Sequence, residues 1–135
     1  MPKFMVIMPG DTQSEAGIIP PPELFAEMNA YNDELTKAGV LLTAEGLKPT
    51  SAGARVRFDD DERRTVIDGP FTESKEIIAG YWMLQASSLE EVLEWVKRAP
   101  LSGGVTLQVR PLYEMDDFGP EFNAKLREAE QQLRE

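Results

Sequence analysis

Two carboxylates stand out by their surroundings. Asp68 opens the run Asp68-Gly69-Pro70-Phe71, which continues Thr72-Glu73-Ser74-Lys75-Glu76. An Asp side chain accepts from the backbone ahead of it, Gly tolerates unusual dihedrals and Pro fixes the next φ, so this run predicts a rigid turn that holds Phe71 against its packing partner. It reads either as a shaped turn with a core anchor, or as a turn that aims Asp68 or Glu73 into a pocket that tunes the carboxyl. Glu45 lies in the apolar stretch Val40–Leu47, where a carboxylate needs a partner. That partner is an arginine across the sheet, with Arg55, Arg57 and Arg110 available, or a ligand for which Glu45 serves as general base. Tyr81 and Trp82 are adjacent in an extended run and so point to opposite faces, one free to line a pocket and the other to pack under a helix. Asp68 and Glu45 are therefore the candidate acid–base residues, with Tyr81, Arg57 and Glu73 as candidate ligand contacts.

What the chain lacks narrows the chemistry further. It has no histidine and no cysteine among its 135 residues, which excludes a His-based triad, a thiolate nucleophile, disulfides and thiolate metal sites. The acidic clusters Asp59-Asp60-Asp61-Glu62 and Asp116-Asp117 lack calcium-loop spacing and read as exposed turns, so neither a metal nor another cofactor is expected. A formal charge of −10 with no basic run opposes nucleic acid and anionic membrane. No apolar stretch approaches the ~20 residues that span a bilayer. The expected address is the cytoplasm.

Positioning these residues requires a core, and 41% hydrophobic residues in a chain of this length suit one domain. Phe4–Met8 predicts a strand buried on both faces, and Asp11–Pro22 a loop. Leu24, Phe25, Met28, Tyr31, Asn32 and Leu35 share one face of a helix over Pro22–Ala38, stopped by Gly39. Val40–Leu47 is a strand in which Thr43 and Glu45 oppose Leu42 and Ala44. Arg55–Phe58 and Arg64–Ile67 form an inserted hairpin. Ile77–Ala86 is a central strand, Ser88–Ala99 a helix with a Ser88/Glu91 capping box, and Val105–Val109 the last core strand. A narrow stripe of Phe122, Leu126, Ala129 and Leu133 predicts a C-terminal helix that lies on the domain or docks on a partner subunit. The order βαβ, hairpin, βαβ is the ferredoxin-like α+β arrangement. Helices cover one sheet face, and pairing with a second copy through the other is the expected solution.

Several segments together resemble one family. Asn32-Asp-Glu-Leu35, Gly39-Val-Leu, Glu45-Gly-Leu-Lys-Pro49, Asp68-Gly-Pro-Phe71, Glu73-Ser-Lys-Glu76, Gly80-Tyr81, Leu89-Glu-Glu91, Glu94-Trp95, Pro100 and Val109-Arg-Pro-Leu112 are similar to the DGPF-motif branch of the YCII-related proteins. The resemblance implies a domain over residues 1–112 with a helical extension over 113–135. It further implies a ferredoxin-like protomer in a dimeric α+β barrel, a bacterial cytoplasmic setting and a cleft between sheet and helices. A better-studied branch uses a His-Asp dyad; ungapped counting from Gly39 sets Met28 and Lys37 there, a departure at both positions. Three functions stay open: a homodimer that binds a small organic ligand among Tyr81, Glu45 and Arg57; a cofactor-free lyase, isomerase or dehalogenase-like enzyme using Asp68 or Glu45 as base; and an accessory protein for a transcription regulator such as an alternative sigma factor.

Overall fold

The computed structural model describes residues 1–70 and 77–134. Its elements are β1 (Lys3–Pro9), α1 (Thr12–Glu15), α2 (Pro22–Lys37), β2 (Leu41–Gly46), β3 (Ala54–Phe58), β4 (Arg64–Asp68), β5 (Ile78–Gln85), α3 (Leu89–Val96), β6 (Gln108–Pro111) and α4 (Pro120–Arg134). Four strands make an antiparallel sheet in the order β2-β5-β1-β6, and β3 and β4 pair as a separate hairpin sheet. This is the α+β, ferredoxin-like arrangement that the element order predicts, with the hairpin inserted between β2 and β5.

Phe4, Val6, Trp82 and Leu84 face α2 and α3 and pack with Tyr31, Leu35, Val40 and Val92 into the core. The polar ends inside it are paired: the Tyr31 hydroxyl donates to the Trp95 carbonyl at 2.8 Å and the Trp82 indole to Asn32 Oδ1 at 2.8 Å. The two rings meet edge to face at 6.3 Å, which adds to the area they bury. Burial pushes the Tyr31 phenol up to about 12, with Arg98 nearby pulling down and Glu34 pushing up.

Helix ends follow local chemistry. Pro22 opens α2 with its φ already set. Gly39 closes it at φ 74°, with the Val40 amide donating to the Leu35 carbonyl and Gly39 to Thr36. That pair of reverse bonds is a Schellman closure, and the left-handed dihedral is what requires Gly there. Ser88 caps α3 by accepting from the Glu91 amide, while the Glu91 carboxylate reaches back one residue further than the simplest capping box, to Ser87.

Other expectations are revised. Asp11–Pro22 is not all loop: Asp11 and Ser14 cap each other across the single turn α1. β1 is covered on one face, since Phe4 and Val6 are buried but Met5 and Ile7 only half so. Leu42 stands at a register shift in β2 and is exposed instead of sharing the helix-facing side with Ala44. The last strand is Gln108–Pro111, not Val105–Val109, because pairing with Phe4–Ile7 fixes its register; Pro111, without an N–H, is tolerated on this edge strand.

Candidate functional site

The sheet face turned away from the helices carries a regular grid. Across it run Thr43, Met83, Met5 and Arg110 in one row and Glu45, Tyr81, Ile7 and Gln108 in the next. Met5, Ile7, Tyr81 and Met83 are half-buried at its centre, while Glu45 and Arg110 are exposed on opposite edge strands, β2 and β6. Glu45 and Tyr81 are thus direct cross-strand neighbours, as the alternation of β2 and β5 requires. Glu45 makes no ion pair among the described residues. Trp82 points the other way, into the core.

Asp68 and Arg57 belong to the hairpin. Asp68 pairs in register with Ala54 and is exposed. The Arg57 guanidinium donates to Asp59 Oδ1 at 2.9 Å, and Thr65 holds the other oxygen of that carboxylate at 2.9 Å. Arg57 therefore lines a shallow recess of ≈ 390 Å³ with Asp59, Asp61, Arg63 and Thr65 at the hairpin tip. No hydrogen bond or ion pair joins Arg57 to Glu45 or Tyr81 among the described residues. Glu73 and Phe71 lie outside the described residues. The candidate residues thus fall into two groups, Glu45 with Tyr81 on the open sheet face and Arg57 with Asp68 on the hairpin. Neither group faces the space between sheet and helices, which core side chains occupy.

A second groove, of ≈ 430 Å³, lies where the sheet meets the base of the hairpin. Its walls include Leu47, Pro49, Ala54, Ile77 and Ile78, with Lys48 and Arg55 as the charged residues among the described lining. The described lining comes from two stretches, residues 47–55 and 77–78, and bonds to neighbouring segments hold them. Leu47 donates to the Ala79 carbonyl and Gly10 to that of Ile77, both at 2.8 Å. Both oxygens of the Glu15 carboxylate hold the 3-10 turn Thr50–Ala52, one through the Thr50 amide at 3.0 Å and the other through its hydroxyl.

The Asp68-Gly69-Pro70 run closes the hairpin side. The Gly69 amide donates to the Gly53 carbonyl at 3.0 Å, and a Cβ on Gly69 would stand 1.7 Å from the Thr50 carbonyl oxygen. Gly69 is absent from the left-handed residues. The glycine is therefore required by close backbone approach, not by the unusual dihedral that the sequence suggests. Gly69 is thus packed against the backbone of Gly53 and Thr50, which line the groove, and Asp68 pairs with Ala54 in the hairpin.

Residue reasoning missed the groove because its walls are ordinary apolar residues at strand ends. The segment Glu45-Gly-Leu-Lys-Pro49 was the available signal, since a Gly and a Pro closing a strand mark a backbone that must turn under something. Among the described residues no three carboxylates converge as a metal-holding group, and no helix is long and apolar enough to cross a membrane.

Residues 3–116 match the YCII-related domain. The chain belongs to the YCII-related family. A protein of Rhizobium meliloti (strain 1021), itself uncharacterised, is 33% identical over 88 residues, which is 64% of this chain and 70% of the relative. The family match ends a few residues past the expected boundary at 112 and leaves α4 outside it.

Proposed function

We propose that this YCII-related protein is a cytoplasmic homodimer that binds a small organic acid in the groove at the hairpin base. The observation that carries the ligand reading is the groove's lining: an apolar wall of Leu47, Pro49, Ile77 and Ile78 beside the Lys48 ammonium. Such a site suits a ligand with a hydrocarbon body and one acidic group, the first offering area to bury and the second a charge-assisted partner. The chain's charge of −10 opposes an anion at long range. That field is screened within a Debye length of about 8 Å at physiological salt, whereas a cation within hydrogen-bonding reach is not.

The dimer reading draws on the open sheet face. Its centre is apolar, and a two-fold axis lying between two copies and along their strands sets the β2 edge with Glu45 over the β6 edge with Arg110. Apolar surface meets apolar surface, and polar residues of the same row, Glu45 with Gln108 and Thr43 with Arg110, meet at the rims. The run Asp68-Gly69-Pro70-Phe71 also supports membership of the DGPF-motif branch.

Thermal-shift measurement against aromatic and aliphatic carboxylates and their neutral amides tests the ligand. The acids raise the melting temperature, the amides do so less, and Lys48→Gln removes the difference. Equal shifts for acids and amides, or none for either, refute the assignment. An acid–base enzyme is the second reading, favoured by the direct pairing of Glu45 with Tyr81. It requires that Glu45→Gln abolish turnover of a bound acid without lowering its affinity; unchanged turnover removes it.

A further inference from the structure

α4 is a 15-residue helix with no buried residue. Its most extensive packing is with the 3-10 turn Met115–Phe118 just before it, through a ladder in which the Phe118 ring lies 4.9 Å from Tyr113 and 4.7 Å from Phe122, while Asn123 and Leu126 are half-buried. Tyr113 is 79% exposed, Phe122 46% and Leu133 87%. A helix of this length is marginal in water without an apolar face to cover, and these rings and Leu133 form such a face, left open.

Two observations say what covers it. First, the open sheet face is small. Four strands of four to eight residues, about 4.8 Å apart and rising about 3.3 Å per residue, give roughly 400 Å². A standard interface takes about 800 Å² of accessible surface from each partner, so a face of this footprint gains from added surface beyond the sheet. Second, the tail that carries the ladder leaves from the sheet edge. β6 is an edge strand, and Leu112, next after it, is still bonded to the Lys3 carbonyl at 2.9 Å. In the two-fold arrangement that edge lies over the second copy, and the chain beyond it starts beside that copy.

We infer that residues 113–134 form an arm by which each chain clasps a second copy, with the exposed Phe118, Phe122 and Leu133 packing on the other protomer. The inference rests on the dimer reading above. Exchange of arms extends the interface from the sheet face around its edge and adds area to that of the four strands. It also covers Phe122 and Leu133, the apolar side chains of α4 that stay exposed on its own domain.

Sedimentation velocity on the full chain and on Phe122→Asp/Leu133→Asp, two exposed positions of the arm, tests it. The dimer dissociates at least tenfold more readily in the variant, and Phe122→Leu restores wild-type association. A wild-type chain that is monomeric at 100 µM overturns the dimer and the arm together; a wild-type dimer that the double variant leaves equally tight overturns the arm alone. Amine cross-linking of a mixture of 15N-labelled and unlabelled chains reads the same point without substitution. Lys125 on α4 gives mixed-label products with lysines of residues 3–97, whereas exclusively same-label products overturn the arm.

Discussion

Adding one methyl group at Gly69 tests how the groove is built. In Gly69→Ala the new Cβ is directed at the Thr50 peptide, 1.7 Å from its oxygen, 2.5 Å from its carbonyl carbon and 3.2 Å from the Ser51 nitrogen. Relief to ordinary contact needs a movement of more than about 1 Å, and the atoms in the way are backbone, which has no rotamer to change. The turn cannot retreat freely either, because the Glu15 carboxylate holds Thr50 at two points. Overpacking of this kind costs about 1–3 kcal/mol, and loss of the Gly69–Gly53 bond adds about 1 kcal/mol. The sum, about 2–4 kcal/mol, lowers the melting temperature by roughly 6–15 °C for a domain of this size. Calorimetry reads the global effect, and amide exchange at Ala54 and Gly69 reads separation of the hairpin from the turn. A melting temperature within 1 °C of wild type together with unchanged exchange at both amides refutes the reasoning.

Three further outcomes follow. Glu15→Ala frees the same turn and costs about 1–3 kcal/mol in urea titration; combined with Gly69→Ala it costs less than the two singly, and strict additivity contradicts the shared turn. Tyr31, pushed up to about 12, keeps its proton in the fold after the unfolded chain has lost it near 10. Stability from this group is therefore complete below pH 10 and falls as pH rises toward 12. Denaturant titration across that window shows the decline, Tyr31→Phe flattens it, and an unaltered slope in that variant rules the phenol out as its source. Tyr81→Asp sets a charge at the centre of the open sheet face and gives a folded monomer by light scattering with native circular dichroism; a retained dimer shows that the face is not the interface.

The sequence made the frame legible because its signals were local. Three- and four-residue spacing from Leu24 to Leu35, the Gly39 stop and the Ser88 cap each decide a few neighbouring residues, and the helices lie where those signals set them. The alternation that sends Trp82 inward and Tyr81 and Glu45 to the open face was legible for the same reason. The last strand was displaced because its ends depend on β1 rather than on its own pattern. The groove depends on still longer connections: Glu15 to Thr50, Gly10 to Ile77 and Gly69 to Gly53 join segments far apart in the chain, and no periodicity announces such pairings. Arg57 was a reasonable ligand contact by type, but Asp59, two residues away, engages it at the hairpin tip.

The most direct test of the account is amide chemical-shift mapping while an aromatic carboxylate is titrated into 15N-labelled protein. The account predicts saturable shifts concentrated at Leu47–Arg55 and at Ile77 and Ile78, reduced in Lys48→Gln. Shifts confined to the hairpin tip around Arg57 and Arg63, or spread evenly over the basic side chains without saturation, contradict it.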